Sequence, residues 1–193
     1  LGQTTHFTYE PTYSKVTSLT DALGHMTAYA YDARGNLLQV TDALGNTTHY
    51  TYDGFGNLTS VTDAAGNRTD YAYDAYGNLI TTTDARLNET QFVYDLVGNT
   101  TQITDARGGT TAFGYDAANR LTQITYPGAT QLRYTYDRVG NRTSMTDPKG
   151  RVTTYDYDVV NRLVKVVDPL GGETNYGYDT EGNRVAITDA NRN

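Results

Sequence analysis

At 193 residues, with a formal net charge of −7 and a pI near 4.8, the chain lacks the basic excess that nucleic acid requires. It contains no cysteine, which excludes disulfides, thiolate metal sites and cysteine nucleophiles. No apolar run is long enough for a membrane-spanning helix, and the sequence reads as a slice of something longer.

The opening segment, residues 1–30, reads as a variant first repeat, with Tyr9-Glu10-Pro11-Thr12 and a step of 22 residues to Tyr31. From Tyr31 the chain repeats itself. Tyr-Asp recurs at Tyr31, Tyr52, Tyr73, Tyr94, Tyr115, Tyr136, Tyr157 and Tyr178, always 21 residues apart. A fixed period of this length indicates stacked supersecondary units, so residues 31–193 read as eight tandem repeats, the last truncated, in one continuous array.

The first full repeat opens on a turn, Asp32 to Gly35, and a second turn follows at Asp42 to Gly45. Asp at the first place and Gly at the fourth is the preference of a type I turn. The carboxylate accepts N–H bonds of its own turn, and Gly supplies positive φ without steric cost. The same device recurs at Asp53 with Gly56, at Asp74 with Gly77, and onward. Asn119 and Asn161 stand where Gly is expected, and Asn tolerates the left-handed region best after Gly. Sixteen of the 22 acidic residues belong to these turns, so the acidity is a by-product of turn chemistry rather than a binding surface.

Between the turns lie two short segments. One carries Val40 or its β-branched counterpart. The other carries aromatics two residues apart, such as Tyr50 with Tyr52 and Tyr71 with Tyr73, which share one face of a strand. Each repeat is therefore two antiparallel strands of roughly six or seven residues and two tight turns, about seventeen strands in all. The expected class is all-β: tandem 21-residue hairpins forming a curved or spiral antiparallel sheet. Its tyrosines and β-branched residues are expected to be substantially buried. An odd period would flip the tyrosines to alternate faces in successive repeats unless one turn closes differently or a bulge intervenes, and the two Asp-x-x-Gly turns are expected to be geometrically inequivalent.

The unit Tyr-Asp-x-x-Gly-Asn, followed by Thr-Asp-x-x-Gly-Asn-x-Thr-x-Tyr, resembles the YD repeat of the RHS family, across nearly the whole chain. The resemblance implies a segment of a hollow β-shell. In bacterial members the shell encloses a C-terminal toxin before delivery, and in animals teneurins use a similar barrel at the cell surface. It implies a non-catalytic structural wall, secreted or at the bacterial cell surface. The implied partners are the remainder of a larger RHS protein and its enclosed cargo. The alternative is an extracellular or cell-surface binding repeat whose aromatic hairpins contact glycan or a partner protein. Near-identical repeats also predict end-to-end self-association of the isolated segment.

Other candidates read as ordinary repeat residues. His6, His25 and His49 lack metal-ligand spacing, and turn carboxylates without a D-x-D-x-D-G loop bind hard cations weakly. Asn46, Asn57, Asn67, Asn88, Asn99 and Asn141 satisfy the glycosylation sequon automatically through Gly-Asn-x-Thr phrasing. Asp168-Pro169-Leu170-Gly171 is similar to the family's cleavage motif, yet it falls in phase as a second turn. No cofactor, metal, nucleic acid or membrane span is expected.

Overall fold

The computed structural model describes residues 4–189, and among them there is no helix. The chain divides into two compact units, Leu1–Val93 with Asp105–Arg107, and Tyr94–Thr104 with Gly108–Asn193. The first carries β1 (His6–Tyr9), β2 (Val16–Thr20), β3 (Met26–Tyr31), β4 (Leu37–Thr41), β5 (Thr47–Tyr52), β6 (Leu58–Thr62), β7 (Arg68–Tyr73), β8 (Leu79–Thr83) and, up to its last residue, β9 (Glu89–Tyr94). The second carries β10 (Thr100–Thr104), β11 (Thr110–Tyr115), β12 (Leu121–Thr125), β13 (Gln131–Tyr136), β14 (Arg142–Thr146), β15 (Val152–Tyr157), β16 (Leu163–Val167), β17 (Glu173–Tyr178) and β18 (Arg184–Thr188). Within each unit consecutive strands pair antiparallel, as β5 does with β4 and β6.

The described residues hold eighteen strands, against the seventeen expected, because the opening segment supplies its own hairpin, β1–β2. The strands are also shorter than expected: a six-residue strand, a five-residue connection, a five-residue strand and a second five-residue connection account for each repeat.

Both kinds of turn close identically. Asp32 N–H donates to Asn36 and Gly35 N–H to Asp32; Asp42 N–H donates to Asn46 and Gly45 N–H to Asp42. This is the type I turn continued by a left-handed residue that joins strands through a bulged loop. The expectation of inequivalent turns is thus corrected, and the bulge alone restores parity. In β3–β4 the register runs Ala30 to Gln39 and then Tyr31 to Leu37, leaving Leu38 as the extra residue. The same shift occurs in β5–β6, β7–β8, β11–β12, β13–β14, β15–β16 and β17–β18, whereas β4–β5 pairs without one. One extra residue in each of these hairpins, beside the Tyr-Asp turn, keeps the tyrosines of successive repeats within a unit on one face.

That face carries Tyr50 opposite Val61 and Tyr52 opposite Leu58. The other face is polar. Thr51 Oγ1 meets Thr59 Oγ1 at 2.8 Å and Ser60 Oγ at 2.6 Å. A parallel cluster joins Thr135, Thr143 and Ser144 in the second unit. In β5, Tyr50 and Tyr52 are half-buried while His49 and Thr51 are exposed.

The expected burial of the comb needs correcting. Tyr50, Tyr52, Tyr71, Tyr73, Val40 and Val61 are all half-buried. Among the described residues no hydrophobic side chain is fully buried, and Ser60, at 2% exposure, is the one buried polar residue. The reason is geometric. In a single layer each face meets water, and a side chain is covered only by its neighbours on the same face.

Asn119 and Asn161 take φ values of 59° and 65°, and Gly35, Gly56, Gly77, Gly98, Gly140 and Gly182 also lie at positive φ. Two substitutions at this place escape sequence reading. Leu87 and Ala129 occupy it at φ 63° and 66°. Such a conformation costs a residue with a Cβ about 1–2 kcal/mol. Leu87→Gly is expected to raise stability by about 0.5–1 kcal/mol, once the entropy of Gly is subtracted, and Asn119→Ala to lower it. Urea denaturation of both variants checks this pair of opposite signs.

Candidate functional site

The most elaborated chemistry in the molecule sits at the turns. In most of them, one carboxylate oxygen of Asp accepts two backbone N–H groups and the other accepts a side chain four residues on; Asp105 and Asp168 have Gly at that place, and the turn at Tyr126 closes through its backbone with no carboxylate. Asp53 Oδ1 accepts from Phe55 N at 2.8 Å and Asn57 N at 2.9 Å, and Oδ2 accepts from Asn57 Nδ2 at 2.9 Å. Asp32, Asp42, Asp63, Asp74, Asp84, Asp95 and Asp137 are bound in the same way by the Asn that follows the left-handed residue.

At four turns where that Asn is replaced, the replacement is also a donor. Arg120, Arg151 and Arg162 each donate Nε to the carboxylate of Asp116, Asp147 and Asp158. His25 Nδ1 lies 2.9 Å from Asp21 Oδ2, which makes it part of a turn rather than a metal ligand. In the opening hairpin the connection is one residue longer, and the longer Glu10 takes the place of Asp, accepting from Thr12, Tyr13 and Lys15 N–H. Sequence reading identified the Asp and the Gly. It missed the donor at the fifth place, although the recurrent Asn after Gly was the visible signal.

These contacts hold the carboxyls of Asp53, Asp74, Asp116, Asp147, Asp158, Asp21, Asp137 and Glu10, among others, below their ordinary range. Side-chain donation is the first cause at Asp53, Asp74, Asp116 and Asp147, and backbone donation is first at Asp158 and Asp21. At Asp137 and Glu10 desolvation, which raises the value, is outweighed by the hydrogen bonds.

The tyrosines of six Tyr-Asp pairs reach back across the sheet. Each of these hydroxyls donates to the backbone carbonyl fifteen residues upstream: Tyr31 to Val16, Tyr73 to Leu58, Tyr115 to Thr100, Tyr136 to Leu121, Tyr157 to Arg142 and Tyr178 to Leu163, at 2.8–3.1 Å. Burial pushes the hydroxyls of Tyr31, Tyr52, Tyr73 and Tyr157 up. Tyr50 and Tyr71 are the other teeth of the comb, and Tyr94 closes β9 in the same position.

Successive Tyr-Asp turns are also tied to one another. Asn99 Nδ2 donates to Asn119 Oδ1 at 3.1 Å, and Asn141 Nδ2 to Asn161 Oδ1 at 2.9 Å. The two asparagines in the left-handed position therefore also serve as acceptors for the preceding repeat, which Gly cannot do. The sequon asparagines Asn46, Asn57, Asn67, Asn88, Asn99 and Asn141 all use Nδ2 to hold their turn Asp. Among the described residues no group of three or more His, Asp or Glu side chains is arranged to hold a metal ion, and no helix is long and apolar enough to cross a membrane.

An array of bulged hairpins carrying Tyr-Asp turns in phase matches the family description "RHS Repeat" at residues 14–47, 31–68, 52–87, 94–131, 128–152, 136–173 and 157–193. The chain belongs to the RHS Repeat family. No curated protein matches it in sequence. Among solved structures it is similar to a Photorhabdus luminescens Tc holotoxin pore carrying a TccC3 variant, with TM-score 0.66 and 21% identity over 97% of this chain and 11% of that one. It is also similar to TcdB2-TccC3-Cdc42, with TM-score 0.65 and 17% identity over 91% of this chain and 14% of that one. TcdB2-TccC3-TEV gives TM-score 0.64 and 18% identity over 96% and 15%. The RHS segment thus spans a small fraction of each chain it matches, and at these identities the likeness concerns the fold.

The depressed carboxyls set the pH response. A carboxyl with a folded pKa below its unfolded value of about 4 contributes stability that is present above the unfolded value and lost as pH falls through the folded one. Many such groups act in parallel, so the melting temperature is expected to be flat from pH 7 to about 5 and to fall steeply below about pH 4. Thermal melts followed by circular dichroism across this range test it, and a flat profile down to pH 2 would contradict the role given to the turn carboxylates.

Proposed function

We propose that this RHS segment is a length of wall in a β-shell, non-catalytic in itself, and that the full protein uses the shell to enclose and help deliver a C-terminal toxin or other cargo. The in-phase array of bulged hairpins carries this reading. It builds, within each unit, a sheet with a tyrosine-aliphatic face and a threonine-rich face and, among the described residues, no fully buried hydrophobic side chain, which suits a wall between two environments better than a self-sufficient globule. The backbone likeness to the TccC3-containing structures supports the same assignment. The parent protein is then secreted or displayed at a bacterial cell surface. Its partners are the rest of the RHS chain and the cargo.

The array's outer strands bear on its behaviour in isolation. All four residues of β1 and all five of β18 are exposed, whereas the five-residue strands β8, β10, β12, β14 and β16 are half-buried throughout. An open edge with free N–H and C=O groups invites a further hairpin, from the parent chain or from a second copy joined head to tail. Sedimentation of the 193-residue segment should therefore show association that grows with concentration.

Electron cryomicroscopy of the full-length protein tests the wall directly. Residues 31–193 are expected in a continuous sheet around a closed internal volume that contains further polypeptide. A full-length particle with no enclosed volume would overturn the proposal.

A further inference from the structure

On the tyrosine face one arginine is held between two rings. The Arg142 guanidinium, from β14, lies 5.5 Å from the Tyr134 ring centroid in β13 and 4.6 Å from the Tyr155 ring centroid in β15. Leu is usual at this place, as at Leu37, Leu58, Leu79, Leu121 and Leu163. Arg fits there because each neighbouring strand offers a ring face, and a flat guanidinium stacks on both.

Arg184, in β18, is the other arginine at that place. Its guanidinium lies 5.8 Å from the Tyr176 ring centroid in β17. The counterpart of Tyr155, the nearer of the two rings at Arg142, belongs on a strand beyond β18. Arg184 thus has half of the sandwich that Arg142 has in full.

β1 has the form of that further strand. Phe7 faces Leu19, Thr8 faces Ser18 and Tyr9 faces Val16, with the same bulge that sets Tyr29 opposite Val40 and Tyr31 opposite Leu37. Phe7 and Tyr9 are therefore the two teeth of a comb, their ring centroids 6.4 Å apart. They are 47% and 59% exposed, whereas Tyr50 and Tyr52, with a strand on either side, are half-buried. β1 makes its ladder with β2, and β18 makes its ladder with β17. In the array combs alternate with five-residue strands, so the outer edges of β18 and β1 match.

The register of that match follows from the array. Where β16 meets β17, Lys165 faces Asn175, Val166 faces Thr174 and Val167 faces Glu173. Carried over place by place, Ala186 faces His6, Ile187 faces Thr5 and Thr188 faces Thr4. Phe7 then falls beside Arg184 as Tyr155 falls beside Arg142. The Tyr9 hydroxyl falls at the Arg184 carbonyl, as that of Tyr157 does at the Arg142 carbonyl.

We propose that β18 of one copy receives β1 of a second copy in this register, with Phe7 closing the open face of Arg184. The proposal rests on the open-edge reading above and not on the enclosure of cargo. The contact is head to tail, so each copy uses β1 for one neighbour and β18 for another. Charge favours it over β1 meeting β1. Residues 1–93 carry four basic against ten acidic residues, net −6, and residues 94–193 carry eleven against twelve, net −1. Head-to-tail contact therefore keeps the two strongly acidic halves from meeting.

Because the chain has no cysteine, introduced thiols report the register without interference. His6→Cys chains mixed with Ala186→Cys chains under mild oxidation should yield a linked peptide joining positions 6 and 186, since directly opposed Cβ atoms lie about 4.5–5.5 Å apart. Thr4→Cys chains with Ala186→Cys chains, two residues out of register, should yield far less. Sedimentation equilibrium reads the strength. Arg184→Thr, which puts there the residue found at Thr100, should weaken association by about two- to fivefold, the scale of one exposed cation–π contact. Adding Phe7→Ala should weaken it by less than the product of the two separate effects, because both remove the same contact. A monomer at every concentration, equal linkage from Thr4→Cys, unchanged association in Arg184→Thr, or effects that simply multiply would overturn the proposal. None of these results would touch the wall reading, which is decided on the full-length protein.

Discussion

The fold depends on one repeated interaction, a carboxylate that closes its own turn. Asp53 gathers two backbone N–H groups on one oxygen and the Asn57 amide on the other, so the orphan donors of a tight turn and the start of the next strand are satisfied by a single side chain. Charge makes these bonds stronger than neutral ones. The turn then fixes where each strand begins, and five-residue connections fix the register of every hairpin after the first. Since no hydrophobic side chain among the described residues is fully buried, burial alone specifies little and the turns must set the register. Several exceptions follow the same rule: Arg or His replaces Asn as the donor, and Glu10 replaces Asp where the connection is longer; the turn at Tyr126 keeps the same backbone closure without a carboxylate.

Turns alone would not produce a two-faced sheet. With identical turns and an odd period, the tyrosines would alternate sides. The single bulged residue beside each Tyr-Asp turn, Leu38 or Thr59, absorbs the odd residue and keeps the comb together. The tyrosine hydroxyl then binds the sheet's own backbone, as Tyr73 does at Leu58, and the ring covers its neighbours on that face. Amphipathic Tyr suits this position because it supplies apolar area while keeping a polar end that needs a partner. A sheet built this way has two chemically different surfaces, which is the property a wall requires.

Much of this was legible in the sequence. The period, the hairpins, the turn type and the positive φ of Asn119 and Asn161 follow from Asp-x-x-Gly spacing and from the known preferences of Gly and Asn. The all-β class and the family likeness rest on the same residues. The parity constraint was legible too, but not its solution, because a bulge leaves no residue signature when Leu38, Thr59 and Ile80 all serve. Burial was overestimated because alternation tells which face a tyrosine occupies, not whether a second layer covers that face. The contacts between repeats, such as Asn99 with Asn119 and Arg120 over Tyr136, join residues some twenty positions apart. They became visible only when neighbouring hairpins were seen side by side.

The central claim is that a hairpin whose turn carries a carboxylate is held by that carboxylate rather than by a core. Hydrogen exchange on Asp53→Ala tests it most directly, because both strands flanking that turn, Thr47–Tyr52 and Leu58–Thr62, can be followed amide by amide. The account predicts that protection collapses across this hairpin while hairpins several repeats away keep theirs. Unchanged protection in β5 and β6 would contradict it.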